Sequence, residues 1–168
     1  GSVFWININS KLHQLFPDDE RYTSEIEESL YNVVLANQDS KGYIRYHSSL
    51  HEKKEKAACD NSCCEVSATD LIARIPELVY SIANDGIFVS LFSSSEIKWL
   101  LRDKEITLKA KTDFPIAPDV SITLSIPGSI YMNLRIRVPS WAVQNMMIEV
   151  NGEPVASGSP GSYRSIER

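Results

Sequence analysis

The sequence feature that most constrains the fold is a change in the spacing of apolar residues near Asn84-Asp85-Gly86. Before this turn signal, apolar residues recur at three- and four-residue steps, which is the period of an amphipathic helix. After it, they alternate with polar residues in short runs bounded by turn residues, which is typical of strands. The sequence therefore predicts an α+β chain, with a helical part over residues 1–84 and an antiparallel β-sandwich domain over residues 85–168.

Two helices are predicted in the first third of the chain. The first is apolar nearly all round, so it needs neighbours on several sides; its most regular face carries Trp5, Ile8, Leu12 and Leu15. The second is predicted from about Glu20 to Ala36, and the turn-rich segment 37–42 ends it. Apolar helix faces without partners in the chain also predict self-association.

The three cysteines of the chain precede a third apolar run at helical spacing. Because the number is odd, Cys59, Cys63 and Cys64 cannot all pair within the chain. Neighbouring cysteines hardly bond to each other, so the pair Cys63-Cys64 faces other partners, binds a soft metal, or is inert and partly buried like many free cysteines. The backbone N–H groups at a helix N-terminus favour an anion and so lower the pKa of a nearby thiol. A reactive or metal-bound cysteine would therefore be placed at this position. Pro76 predicts a kink or break in this third helix.

A local structural zinc site is an alternative use of the cysteines. His47 and His51 lie upstream in a predicted loop, so that the sequence contains an H-x3-H followed by a C-x3-C-C pattern. Zinc ligands are usually spaced more tightly within each pair. The alternative predicts that both histidines are ligands and that zinc is needed for folding.

The second half contains five regular strand patterns followed by a hairpin. The patterns recur about every ten residues, which is the spacing of a sandwich; they are 87–92, 96–101, 105–112, 120–126 and 130–138. Asn151-Gly152 predicts a tight hairpin turn. Trp141 ends a strand, and we expect it to pack against the sandwich rather than to stack on a sugar.

Composition excludes some classes of partner. The 168 residues carry a net charge of −5 and are 43% hydrophobic. Nucleic acid is not an expected partner, because phosphate binding requires a basic surface. No apolar run approaches the roughly 18 residues of a membrane helix, and the start resembles no signal peptide, so no membrane partner is expected. Nothing in the sequence indicates a cellular location.

Seven short motifs, taken together, resemble a known enzyme family. In order they are Glu27–Asn32, Tyr46 with Leu50, Cys63-Cys64, Leu78–Tyr80, Gly86–Phe92 with Ser95-Glu96, Leu134–Ala142 and Val150–Glu153. Their order and spacing are similar to those of glycoside hydrolase family 127, the β-L-arabinofuranosidases, and of relatives once called domain of unknown function 1680. The resemblance runs from about Val3 to Arg168.

The resemblance implies a fold and a mechanism. It implies a catalytic (α/α)6 barrel, of which the helical part would be an incomplete piece, followed by β-sandwich domains. It implies a retaining hydrolase of β-L-arabinofuranosides or related plant-type glycans, with a carbohydrate substrate as partner. Cys63 would be the nucleophile, and Cys63 and Cys64 would bind zinc, which keeps a thiol deprotonated at neutral pH. Glu27 and Tyr46 would lie near the sugar.

The sequence also departs from the family pattern. The remaining two zinc ligands come from an upstream Glu-x-Cys motif, which this sequence lacks together with the upstream general acid. Asp70 stands where many relatives have arginine, and Glu65-Val66-Ser67 stands where some have Pro-x-Asn. We therefore expect the 168-residue chain to be inactive by itself. The alternative function is a non-catalytic carbohydrate-binding or interaction module with a β-sandwich and no metal.

Overall fold

The computed structural model describes residues 1–46, 51–53 and 63–167. The chain divides into two compact units, Gly1–Pro76 and Glu77–Arg168. The first is helical and the second is built of strands, which confirms the predicted α+β class. No helix in the described ranges is long and apolar enough to cross a membrane.

Two packed helices begin the first unit. Helix α1 spans Ser2–Leu15 and α2 spans Glu20–Ser29. The coil continues as a π-helical turn over Leu30–Val34 and a 3-10 turn over Leu35–Asn37, close to the predicted helix end. Asp19 caps α2, because its carboxylate accepts a hydrogen bond from the backbone N–H of Arg21 at 3.3 Å.

The buried face of α1 is not the one that apolar spacing indicates. The buried residues are Ile6, Asn9 and His13, whereas Trp5 and Leu15 are 46% and 71% exposed. Asn9 is satisfied locally, since its amide donates to the Trp5 carbonyl at 3.0 Å. The Trp5 indole N–H donates to the Glu25 carboxylate at 2.8 Å, which holds this ring at the solvent-exposed margin of α1 and α2. The buried face of α1 is therefore set by contacts with neighbouring elements and not by the number of apolar residues on a face.

The third helical segment breaks where the proline predicts. Helix α3 spans Cys63–Ala73 and α4 spans Pro76–Val79, with a turn at Arg74 and Ile75 between them. Pro76 has no N–H to continue α3, but it is tolerated as the first residue of a new helix.

Nine strands follow, in three sheets. They are β1 (Tyr80–Ala83), β2 (Gly86–Val89), β3 (Ser95–Leu101), β4 (Lys104–Thr112), β5 (Val120–Ser125), β6 (Asn133–Val138), β7 (Met146–Val150), β8 (Glu153–Gly158) and β9 (Ser162–Glu167). The sheet orders are β1-β2-β6-β9, β3-β4-β5 and β7-β8. All neighbours pair antiparallel except β2 and β6, which pair parallel.

The predicted boundary at residues 84 and 85 lies inside a hairpin. Strand β1 pairs with β2, with Tyr80 opposite Val89 and Ala83 opposite Gly86. Residues 80–84 therefore belong to the second unit, not to the helical part. The sequence obscures this strand because four residues that directly follow a helix show no clear alternation.

Alternating strands place one shared core between the sheets. In β4, Ile106, Leu108 and Ala110 face inward while the residues between them are exposed or partly exposed. Side chains of the four-stranded sheet, the three-stranded sheet and β7 meet in this core, and they include Ile87, Val89, Trp99, Leu101, Leu134, Ile136 and Ile148. The arrangement is that of a β-sandwich.

The parallel pairing of β2 and β6 requires a very close backbone approach. A Cβ on Gly86 would lie 1.9 Å from the carbonyl oxygen of Asn133, so only glycine fits there. Beside it, the Asp85 carbonyl accepts from the Asn133 N–H at 2.8 Å. Arg135 donates two hydrogen bonds to the Asp85 carboxylate, at 2.9 and 2.6 Å. These contacts fix the start of β2 against β6.

Replacing Gly86 with alanine tests this approach. We expect Gly86→Ala to lower the free energy of unfolding by about 3 kcal/mol or to prevent folding of the second unit, because a backbone oxygen cannot move aside easily. Gly128→Ala is the control: φ is +74° there but no atom lies closer than 3.8 Å to the added Cβ, so the cost is about 1 kcal/mol. Urea unfolding compares them, and equal stability of the two variants contradicts the close-approach argument.

The ion pair of Asp85 and Arg135 predicts a pH dependence. The hydrogen bonds from Arg135 hold the pKa of Asp85 below its ordinary value of 3.8. A lowered pKa in the folded state stabilises the protein above pH 3.8, and this contribution is lost as the pH falls through the lowered value. Because the Asp85 side chain is 53% exposed, we expect Asp85→Asn to cost only about 1 kcal/mol at pH 7. Urea unfolding at pH 7 and pH 2.5 should show the difference shrinking in acid; a difference that stays constant contradicts it.

Candidate cysteine and carboxylate site

The adjacent cysteines open helix α3. Among the described residues α3 begins at Cys63, and both Cys63 and Cys64 are exposed free thiols. The pair lies in the first described turn of α3, in agreement with the prediction that it precedes a helical apolar run. The location leaves both sulfur atoms accessible to a metal ion or a reactant.

The pKa of Cys64 does not follow the expectation from the helix N-terminus. Partial desolvation, then a hydrogen bond with the Cys63 side chain, raise the pKa of the Cys64 thiol, and the charge of Glu65 acts in the same direction. The amino group of Gly1 opposes them with a smaller effect. Desolvation and the neighbouring sulfur therefore outweigh the positive charge of the Gly1 amino group, and Cys64 favours the thiol form when no cation is bound.

Glu27 is a buried carboxylate on α2. It is only 6% exposed, and the π-helical turn that contains Tyr31 begins three residues after it. Burial, and secondly the charge of Glu27, raise the pKa of the Tyr31 hydroxyl. The two side chains thus share one electrostatic environment at a π-helical turn, a backbone feature that is frequent at functional sites.

Tyr46 lies on the surface. It is 51% exposed, and the segment before it forms an isolated bridge between Gln38 and Ile44. The backbone N–H of Arg45 donates to the Asn37 carbonyl at 3.0 Å, which fixes this segment beside the end of the preceding helical coil. The phenol is therefore accessible.

Among the predicted ligands that the structure describes, Cys63 and Cys64 lie together as chain neighbours. Within the described ranges, no group of three or more His, Cys, Asp or Glu side chains is placed to hold a metal ion. His51 is exposed, while His47 and Cys59 lie outside the described residues. The roles assigned to the pair, to Glu27 and to Tyr46 stay predictions.

The cysteine pair fits half of a zinc site. Thiolates are soft ligands that zinc favours, and zinc in proteins is usually bound by four groups in tetrahedral geometry. Two exposed sulfur atoms on neighbouring residues can supply two of these four. Further ligands are required from solvent or from other residues.

Sequence reasoning missed a set of buried polar residues on the two packed helices. Glu20 and Thr23 share a helix face with Glu27, and Asn9 and His13 are buried on α1. The Ser24 hydroxyl donates to the Glu20 carboxylate at 2.8 Å. The signal in the sequence was the three- and four-residue spacing of polar side chains, which an apolar search overlooks.

Comparison with known proteins identifies the second unit. Residues 86–168 match the family model described as beta-L-arabinofuranosidase, GH127 middle domain. No curated protein sequence matches the chain.

Solved structures with the same fold are larger proteins. One is a glycoside hydrolase (22% identity), one is Ara127N-Se, a GH127 beta-L-arabinofuranosidase from Geobacillus stearothermophilus T6 (23%), and one is a GH127 beta-arabinofuranosidase (23%). Each superposes with a TM-score of 0.85 over 99% of this chain. The chain spans 28% to 30% of their lengths.

The family match and the shared fold agree with the motifs found in the sequence. The match begins at Gly86, the glycine on which the parallel pairing of β2 and β6 depends. It includes the segment from Leu134 to Ala142 and the hairpin turn at Asn151-Gly152. The resemblance to family 127 is thereby confirmed over residues 86–168, which match the GH127 middle-domain model.

Proposed function

We propose that this chain is part of a retaining glycoside hydrolase that acts on β-L-arabinofuranosides or related plant-type glycans through Cys63. The observation that carries the proposal is an exposed Cys63-Cys64 pair at a helix start, in a chain whose second unit matches the GH127 middle domain. Because the chain spans less than a third of the similar structures, this activity is proposed for a protein of their architecture.

The proposed reaction proceeds through a covalent bond to Cys63. The Cys63 thiolate attacks the anomeric carbon and forms a glycosyl-thioether, while the leaving alcohol takes a proton from an acid that we do not place in this chain. Water then attacks the anomeric carbon, its proton passes to a base, and the thiolate is released with net retention. Exposure of Cys63 gives the sugar access to the sulfur atom.

The proposed cofactor is zinc, bound by Cys63 and Cys64 with two further ligands. When bound, zinc would supply positive charge that keeps both sulfur atoms ionised at neutral pH. The residues of this chain explain why such charge is needed. Partial desolvation, and secondly the hydrogen bond between the two side chains, raise the pKa of the Cys64 thiol, so Cys64 favours its protonated form by itself.

Glu27 and Tyr46 are proposed to bind the sugar. A buried carboxylate such as Glu27 can accept hydrogen bonds from sugar hydroxyls with little competition from water. The exposed phenol of Tyr46 can donate a hydrogen bond and also offers an aromatic surface.

The 168-residue chain is proposed to lack turnover by itself. Its described residues supply two thiols and no third zinc ligand near them. Exposed apolar side chains on and after α1, namely Phe4, Leu15 and Phe16, are proposed to promote self-association.

A second candidate is a non-catalytic carbohydrate-binding or interaction module with a β-sandwich. The observation in its favour is the β-sandwich of the second unit, whose sheets share one core. Metal binding separates the candidates, since such a module has no use for a thiolate pair.

Zinc binding with single-cysteine variants tests the proposed function. We expect the chain to bind about one zinc ion. Cys63→Ser or Cys64→Ser should weaken zinc binding by more than about 100-fold, because loss of a direct ligand costs more than loss of a residue that only orients a ligand. Cys59→Ser is the matched control with the same chemical change, and it should bind zinc like the unchanged chain. Competition with a zinc-sensitive dye measures the affinities.

Two outcomes contradict the proposal. Loss of zinc in Cys59→Ser and His51→Ala as well as in the pair variants indicates a local structural site instead. Absence of zinc binding in the unchanged chain contradicts the zinc site. The same proteins are assayed with an aryl β-L-arabinofuranoside; turnover that Cys63→Ala abolishes contradicts the inactivity of this chain, although it supports the nucleophile.

A further inference from the structure

Three aromatic rings form a column from the core of the second unit to its surface. Phe92 is 6% exposed in the core, and its ring meets Phe114 edge-on, with centroids 6.0 Å apart. Phe114 in turn stacks on Trp141, with centroids 5.8 Å apart and an interplanar angle of 20°. Trp141 packs on the sandwich through Phe114, as the sequence predicts, but it also exposes 55% of its surface, so this packing does not exclude contact with a sugar, contrary to the expectation from the sequence.

Hydrogen bonds order the two backbone segments that carry Phe114 and Trp141. The backbone N–H of Phe114 donates to the Thr112 hydroxyl at 3.0 Å, and this hydroxyl donates to the Asp119 carbonyl at 2.7 Å. On the other side, the Ala142 N–H donates to the Pro139 carbonyl at 3.1 Å and closes the turn that carries Trp141. The indole is thus oriented before any ligand arrives, which lowers the cost of ordering it on binding.

The surroundings of Trp141 indicate the chemistry of a ligand. The residue before Phe114 is Asp113 and the residue before Trp141 is Ser140, and both are exposed. An exposed indole in a stacked pair whose chain neighbours carry a carboxylate and a hydroxyl group suits a ring with apolar C–H bonds on one face and hydroxyls at its edge. Asp113 and Asp119 disfavour an anionic ligand.

We propose that Trp141, supported by Phe114, is a stacking platform for one ring of a neutral oligosaccharide. The inference rests on the carbohydrate part of the proposed function, but it does not involve Cys63, zinc or turnover. Asp113 accepts hydrogen bonds from the sugar hydroxyls. Through this platform the second unit of the chain binds the glycan, whether or not the chain has catalytic activity.

Direct binding of a glycan to the full 168-residue chain tests the platform. The probe is an α-1,5-linked arabinotetraose, titrated by calorimetry and by NMR of the tryptophan indole N–H signals. We expect Trp141→Ala to weaken binding by about tenfold, the size of one aromatic contact, and Trp141→Phe to weaken it less. Trp5→Ala removes a tryptophan that is 46% exposed in the first unit, and it should leave binding unchanged.

The outcomes separate this inference from the proposed function. Trp141→Ala should bind zinc like the unchanged chain, because the platform does not use sulfur. No binding by the unchanged chain, or equal losses in Trp141→Ala and Trp5→Ala, overturns the platform and leaves the zinc test unaffected. Self-association that Trp141→Ala abolishes in sedimentation, without glycan binding, overturns it too and identifies a protein contact. Thermal unfolding confirms that each variant folds.

Discussion

The second unit depends on the approach of two backbone segments at Gly86. A side chain there would collide with the carbonyl of Asn133, 1.9 Å from the position of a Cβ. Because Gly86 has no side chain, β2 can lie parallel to β6. Strand β6 pairs with β9 on its other edge. The two hydrogen bonds from Arg135 to Asp85 fix the same junction with a charged pair. The four-stranded half of the sandwich is therefore organised around one glycine.

Local signals predicted the elements, whereas long-range contacts decided their arrangement. Strand β4 was predictable because one face is buried and Ile106, Leu108 and Ala110 alternate with polar residues. Asn151-Gly152 was predictable because both residues adopt positive φ, 55° and 84°, as a tight hairpin requires. The parallel partner of β2 lies more than forty residues away and leaves no local pattern. The buried face of α1, which includes Asn9 and His13, likewise depends on contacts with the other helical elements of the first unit.

The candidate site shows the same division. The sequence placed Cys63 and Cys64 at a helix start, because a helical apolar period begins just after them. The sequence did not reveal the raised pKa of Cys64, since desolvation and the hydrogen bond with Cys63 depend on the folded geometry. For Glu27 the motif indicated a polar role, and only the structure showed a carboxylate that is 6% exposed. In the proposed function the sulfur pair would supply reactivity and the buried carboxylate would supply recognition, and both are required.

The measurement that tests the central claim most directly is X-ray absorption spectroscopy of the zinc-loaded chain. The account predicts two sulfur neighbours at about 2.3 Å, completed by lighter atoms at about 2.0 Å. In Cys64→Ser one sulfur neighbour should be lost. A zinc environment of nitrogen and oxygen alone, or one that keeps both sulfur atoms in Cys64→Ser, contradicts the assignment of the adjacent cysteines as zinc ligands.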